Sequence, residues 1–353
     1  MNIPAKMRAA VQEAPRRLVV KEIPVPAIGP NDVLIKVKFT GICGTDGAIY
    51  TGKYSSQFLP MVPGHEFSGV VAATGGAVRS VREGDRVTAD INMSCGVCFY
   101  CRRGRKLMCP EFHQLGIHCD GTYAEYVKAP AEQVHILPDQ LSFEQGAFIE
   151  PVSCVIHSAK ALNMEVGSNV AILGAGLGIL HGLLAKLRGA APVMLIEPNA
   201  RRREVAARMG IDCVIDPNAC DPVARVKELT GGRGADYVIE AVGRPETYAQ
   251  AFAMSRPGGS IAAFGITAAD DTVPIKPFDF VLGERTLVGS CAGVGRDWVD
   301  AMILLANRRI QPEPMFSMKV PLEELESAIL ELQSSQDLMK VFVSPEPIRR
   351  EVL

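Results

Sequence analysis

At 353 residues the chain exceeds one compact core of ordinary size and points to about two domains. Hydrophobic residues make up 48% and charged residues 22%, which excludes intrinsic disorder and fits a well-buried globular protein. The balance of 37 Lys+Arg against 39 Asp+Glu, a formal charge of -2, provides no field for a polyanion, so no nucleic-acid partner is expected.

No run of about 18 uncharged apolar residues occurs, and the opening residues from Met1 to Arg8 contain no apolar segment of signal-peptide length. No membrane partner is expected, and the expected location is the cytoplasm. From Arg8 to about Val134 the runs 18–20, 33–38, 67–71 and 86–88 alternate between Gly and Pro punctuation and read as strands of a mostly β block. From about 151 to 289 strands and helices alternate. The run 170–173 leads into Gly174-Ala175-Gly176-Leu177-Gly178, a helix-like 179–187 and a strand 193–196 closed by Glu197. A helix over 201–209 follows, then strands at 213–215, 237–240 and 260–264, which is the cadence of a parallel doubly wound sheet. A helix over 297–307, an amphipathic stretch 322–332 and a strand 340–343 close the chain. A lone helix–strand tail has no core of its own, so it is assigned to the first block. The expected domains are 1–155 with 290–353, and 156–289.

Ten cysteines are present, and four crowd together as Cys95-x2-Cys98-x2-Cys101-x7-Cys109. This spacing puts four soft thiolates within reach of one ion, a set suited to structural zinc. An iron–sulfur cluster is the rival reading, since three thiols at x2 spacing and the closing Cys109-Pro110 suit such ligation, although x7 replaces x3. A closed four-thiolate site leaves no open coordination position and would stabilise its loop without doing chemistry.

Catalytic zinc instead needs mixed ligands and one open position. Candidates stand in Gly41-Ile42-Cys43-Gly44-Thr45-Asp46, in Pro63-Gly64-His65-Glu66-Phe67 and in Ile149-Glu150-Pro151. Singly, each has a plainer reading: a core cysteine, a turn histidine, solvated carboxylates. Together with Glu83-Gly84-Asp85-Arg86-Val87, the four cysteines and the glycine loop, all in order, they resemble the zinc-dependent medium-chain dehydrogenase/reductase family. The similarity is greatest to its polyol and threonine dehydrogenase branch and covers nearly the whole chain.

The resemblance implies an α/β protein made of a GroES-like, mostly β catalytic domain and a Rossmann domain. It implies NAD and two zinc ions per subunit, one catalytic and one structural, with a small-molecule alcohol as partner and a homodimeric or homotetrameric assembly. Cys43 and His65 match zinc ligands, and Glu66 and Glu150 match the acidic positions that bind the metal or its water. Thr45 matches the hydroxyl that takes the alcohol proton, and Asp46 the carboxylate that orients the ligand histidine. Cys95, Cys98, Cys101 and Cys109 match the structural set. Zinc would act as a Lewis acid on a secondary alcohol whose hydride passes to the nicotinamide. A threonine- or diol-type activity of the same family, and a non-catalytic dinucleotide sensor on the same fold, are the alternatives.

Gly174 and Gly176 stand between a predicted strand and a predicted helix, where backbone amides and the helix N-terminus can hold pyrophosphate. Glu197 lies at the spacing expected of the acid that accepts ribose hydroxyls, which favours NAD over NADP. Arg201, Arg202 and Arg203 follow, and the resemblance places Arg202 against the adenine. The chain departs from the family's pattern in three places. The third glycine, Gly178, arrives one residue early, with Ile179 in its expected position. Ala48 stands where a histidine often ends the proton relay, so the proton is expected to leave Thr45 by way of the cofactor ribose and water. Ala292-Gly293 replaces the Arg-Tyr pair that polyol dehydrogenases present to the sugar chain, so sorbitol is not the expected substrate by default.

Overall fold

The structure, a computed structural model, describes residues 3–335 and 337–353. It divides into two compact units, one of residues 1–151, 294–308 and 315–353, the other of 152–293 and 309–314. The divisions therefore fall at 151/152 and 293/294 rather than at 155/156 and 289/290, and the short segment 309–314 goes with the second unit. Helix Ile149–Leu162 runs unbroken through the first division. Pro151 stands at the boundary, but it lies in the first turn of the helix, where proline is tolerated, so it does not mark an end there.

The first unit is built on a mixed eight-stranded sheet. Its strands lie in the order Glu351–Val352, Phe316–Pro321, Lys340–Ser344, Asp32–Gly41, Glu66–Thr74, Arg86–Ala89 and Val134–Ile136, with Tyr126–Pro130 also paired to Asp32–Gly41. Three late strands thus extend the sheet, joined to the early ones through Lys340–Ser344, which pairs with Asp32–Gly41. The burial pattern of Asp32–Gly41 explains its central place: Val33, Leu34, Ile35 and Val37 are buried, so the strand has apolar side chains for both faces. Leu34, Val62, Tyr123, Val320 and Val341 belong to one cluster that joins early and late segments.

The second unit holds a six-stranded sheet whose pairings are all parallel. The order is Cys213–Ile215, Val193–Ile196, Val170–Leu173, Ala235–Glu240, Ser255–Ala263 and Thr286–Gly289, so the strand order reverses beside Val170–Leu173. That reversal is the hallmark of the doubly wound Rossmann arrangement, with its ligand crevice outside the carboxyl ends of the strands. Val170–Leu173 and Val193–Ile196 are buried throughout, as strands covered on both faces must be. Strand Thr286–Gly289 was not expected; it is short and mostly exposed, and carries no strong alternating signal. Among the described residues no helix is long and apolar enough to cross a membrane.

Candidate active site, metal centres and cofactor cradle

Cys43, His65 and Glu66 come together in the first unit, each offering a ligand atom within 4.8 Å of the others. Two local features place them. Cys43 is the N-cap of the short helix Gly44–Tyr50, and its N–H donates to Asp46 Oδ2 at 2.8 Å, so an acidic residue in the first helical turn fixes the cysteine's backbone. His65 directly precedes strand Glu66–Thr74, whose first residue pairs with Gly41 at the end of the central strand. Asp46 also accepts from Tyr123 Oη at 2.8 Å, and its Oδ1 faces His65 Nδ1 at 3.5 Å. The ring's other nitrogen is left to meet a metal, the arrangement by which an outer carboxylate orients a ligand histidine.

The electrostatics suit a cation. Burial disfavours the His65 imidazolium, but the Asp46 carboxylate and the Cys43 sulfur outweigh it and raise the pKa well above the usual value. A group that attracts a proton so strongly offers the same lone pair to a metal. One thiol, one imidazole and one carboxylate are a mixed donor set with fewer than four protein ligands, as an open zinc site requires. Thr45 Oγ1 lies 3.7 Å from Cys43 Sγ, which puts a hydroxyl against the group. Glu150, the second of the two expected acidic positions, stands outside this three-residue group. It is buried, and its charge reaches Lys340, whose pKa it helps to raise.

Lys340 itself was not singled out from the sequence. It is 6% exposed and its Nζ lies 2.5 Å from Glu66 Oε2 and 3.0 Å from the Ile42 carbonyl. The central strand separates the two charged residues, and Gly41 lets them meet across it. A Cβ at position 41 would come 2.5 Å from Glu66 Oε2 and 3.4 Å from Lys340 Cδ. Burial disfavours the ammonium, yet Glu66 and Cys43 outweigh it and raise its pKa. The available signal was a lone lysine opening an otherwise apolar strand, 340-Val-Phe-Val; the role of Tyr123 had none.

Cys95, Cys98, Cys101 and Cys109 form the second group, their sulfurs all within 4.8 Å of one another. Cys98 and Cys101 sulfurs are 3.5 Å apart, and those of Cys95 and Cys109 3.6 Å. The Cys101 N–H points at Cys98 Sγ and the Cys95 N–H at Cys109 Sγ, both at 3.5 Å, so backbone donors already face sulfur. Four convergent thiols fit a closed tetrahedral site.

In the second unit the glycines divide three tasks. Gly174 has φ +95°, and a Cβ there would come 2.8 Å from Val242 Cγ2. Gly178 would place a Cβ 2.9 Å from Ile172 Cγ2, so it allows the helix Leu177–Leu187 to pack closely on its strand. The early third glycine therefore performs the packing task expected one position later. At Gly176 a Cβ would meet nothing within 4 Å, and the helix that follows has no side-chain cap. No side chain of the chain itself thus occupies the start of this helix, where a dinucleotide pyrophosphate is held in such folds.

Glu197 closes the second strand of this sheet and is 5% exposed. Its Oε2 accepts the Ala175 N–H at 2.8 Å and its Oε1 the Asn199 N–H at 2.9 Å, which fixes a carboxylate beside the glycine loop. Arg203 is held by Asp216 at 2.7 Å, and Arg201 pairs at 3.3 Å with Glu204 on the surface. Arg202 is half-buried, its N–H bonded to Asn199 Oδ1 at 2.9 Å.

Residues 29–139 match the family described as the alcohol dehydrogenase GroES-like domain, and residues 176–307 the family described as zinc-binding dehydrogenase. Sorbitol dehydrogenase of Bacillus subtilis is 31% identical over 98% of this chain and 99% of its own length. The chain belongs to the zinc-dependent medium-chain dehydrogenase/reductase family. An L-threonine 3-dehydrogenase of Bacillus velezensis is 33% identical over 96% of this chain and 99% of its own. A Sinorhizobium meliloti 1021 structure described as a zinc-binding dehydrogenase bound to NADP superposes with a TM-score of 0.92 at 35% identity, covering 97% of this chain and 100% of that one.

Within this dehydrogenase family the chain's third departure has a structural reason. A Cβ at Gly293 would lie 2.2 Å from Ser153 Oγ and 2.4 Å from the Ser153 carbonyl carbon. No side chain fits there, so an Arg-Tyr pair is excluded from 292–293 by the packing. At the second departure, Ala48 accepts hydrogen bonds from the Lys53 and Tyr54 N–H groups through its carbonyl, and its methyl side chain cannot pass a proton.

Proposed function

We propose that this family member is an NAD-dependent zinc dehydrogenase oxidising a secondary alcohol of a polyol, sugar or related polyhydroxy compound. The observation that carries the reading is the convergence of Cys43, His65 and Glu66, a mixed donor set with Thr45 against it and a separate closed four-thiol set elsewhere. When bound, the metal supplies Lewis acidity toward the alcohol oxygen and the nicotinamide accepts the hydride. Cys43 and His65 hold the metal, with Glu66 as third donor and Glu150 as a nearby anionic charge. Asp46 keeps the His65 ring in place, and Lys340 offsets the negative charge of Glu66. Thr45 takes the alcohol proton and passes it on. Glu197 receives the adenosine ribose, Gly174, Gly176 and Gly178 shape the pyrophosphate cradle, and Arg202 lies against the adenine.

A second zinc belongs to Cys95, Cys98, Cys101 and Cys109. The protein works as a homodimer or homotetramer in the cytoplasm, with no nucleic-acid or membrane partner. A threonine- or diol-type substrate is the second reading, favoured by the packing at Gly293 that removes the sugar-chain contacts of polyol dehydrogenases.

A panel of polyols, sugars, diols and threonine, followed by NADH or NADPH absorbance, tests the reading. Turnover on at least one secondary alcohol is expected, with kcat/KM higher for NAD than for NADP, because Glu197 sets a carboxylate where a 2′-phosphate would lie. Glu197→Ala should narrow that preference. Preference for NADP, as in the ligand of the Sinorhizobium structure, together with no effect of Glu197→Ala would overturn the cofactor assignment.

A further inference from the structure

Glu240 is a carboxylate with 0% exposure, at the last position of strand Ala235–Glu240, and none of the roles above uses it. No cation among the described residues pairs with it. Its partners are all neutral donors. Oε1 accepts the Val242 N–H at 3.0 Å, the Gly243 N–H at 2.9 Å and the Thr247 hydroxyl at 2.7 Å. The Glu240 carbonyl accepts the Phe264 N–H at 3.1 Å and the Gly265 N–H at 2.8 Å. One residue therefore binds the loop after its own strand to the loop after the next. A buried charge without a counter-ion is costly, and a carboxylate is kept neutral-donor-solvated only where several donors are held around it.

The two loops are packed backbone against backbone. A Cβ at Gly243 would lie 2.4 Å from the Ile266 carbonyl oxygen, and one at Gly265 would lie 2.2 Å from the Gly243 nitrogen and 2.5 Å from Glu240 Oε2. Tyr248 Oη donates to the Gly265 carbonyl at 2.6 Å, and burial, then Glu240, pushes its phenol up to about 12, so it remains a donor. On the other side, the first loop touches the glycine turn, since a Cβ at Gly174 would come 2.8 Å from Val242 Cγ2.

These loops leave the carboxyl ends of strands Ala235–Glu240 and Ser255–Ala263, on the side of the strand-order reversal away from Glu197. A dinucleotide laid across that crevice with its adenosine ribose at Glu197 and its pyrophosphate at Gly176 must send its other half over these two loops. We infer that Glu240 is a positioning residue that fixes the 241–243 and 264–266 loops as the seat of the nicotinamide half of the cofactor. The inference rests on the dinucleotide reading given above.

The test compares two ligands, NADH by fluorescence titration and ADP-ribose by calorimetry, on wild-type, Glu240→Gln, Thr247→Val and Thr247→Ser proteins. ADP-ribose has the adenosine and pyrophosphate but no nicotinamide. Glu240→Gln should raise the NADH Kd by about 10- to 100-fold, the range for losing hydrogen bonds to a charged group, and move that of ADP-ribose by less than about threefold. Thr247→Val removes one donor without touching the carboxylate and should weaken NADH by a few-fold, with Thr247→Ser restoring it. A merely structural role would weaken both ligands alike, and that result would overturn the proposal. So would unchanged NADH binding in Glu240→Gln or, should that variant not fold, in Thr247→Val. Wild-type protein that binds no dinucleotide would remove the underlying reading as well, a failure visible before any variant is made.

Discussion

Replacing Thr45 by valine is expected to lower kcat by roughly 10²–10⁴-fold, the effect typical of lost general acid–base help. Valine keeps the volume and deletes the one hydroxyl that the structure places 3.7 Å from Cys43 Sγ. Four of the histidines outside the metal group are engaged in contacts of their own. His113 is exposed, with Nδ1 3.1 Å from the Glu111 carbonyl. His118 accepts the Gln114 N–H at 3.0 Å and meets Phe58 edge-on, its ring centroid 5.1 Å away. His135 stacks on Trp298, and His181 is fully buried against Phe264, where burial pushes its pKa down to about 3 and keeps it neutral. Replacing His113, His118, His135, His157 or His181 singly should each cost less than about tenfold in kcat, below the range for a lost acid–base group. A folded variant of any of them that slows turnover as much as Thr45→Val would put that histidine in the proton path and contradict exit from Thr45 by way of the cofactor ribose to water.

Lys340→Met should destabilise the protein by about 3–5 kcal/mol in urea unfolding, because it strands a buried carboxylate. Glu66 is 2% exposed and Lys340 6%, so little water is at hand to replace the lost partner. Adding Glu66→Gln to Lys340→Met should restore much of the loss, since the uncompensated charge goes with it; a double-mutant cycle measures the coupling. Additive single effects, or a Lys340→Met loss below about 1 kcal/mol, would mean the pair behaves like an exposed one. Gly41→Ala offers a check from the intervening strand, as its Cβ would sit 2.5 Å from the Glu66 oxygen.

The four-cysteine centre was legible because its ligands lie within one short loop, where spacing alone fixes what can converge. The glycine turn and Glu197 were legible for a similar reason, since a strand, a turn and a helix in sequence set their own geometry. Cys43, His65 and Glu66 could be gathered only through ordered motifs, because the chain between them forms a short helix and irregular turns whose path spacing does not fix. The Lys340–Glu66 pair, 274 positions apart, depends on strand order in the sheet, and no local pattern encodes which late strand lies beside Gly41. Glu240 was hidden for another reason. It ends an apolar strand where a solvated carboxylate would be unremarkable, and its burial follows from two loops closing backbone to backbone at Gly243 and Gly265. Glu150 was expected from its motif to bind the metal or its water; it is buried and its charge reaches Lys340, while the three converging ligand atoms belong to Cys43, His65 and Glu66.

The central claim is that one chain carries an open mixed-donor metal site and a separate closed thiolate site. Elemental analysis of purified wild-type protein, alongside Cys43→Ser and Cys98→Ser, tests it most directly. Two zinc ions per chain are expected, falling to one in folded but inactive Cys43→Ser, and in Cys98→Ser a loss of the structural ion with a marked drop in melting temperature. A single zinc per chain in the wild type, or iron with visible absorption, would contradict it.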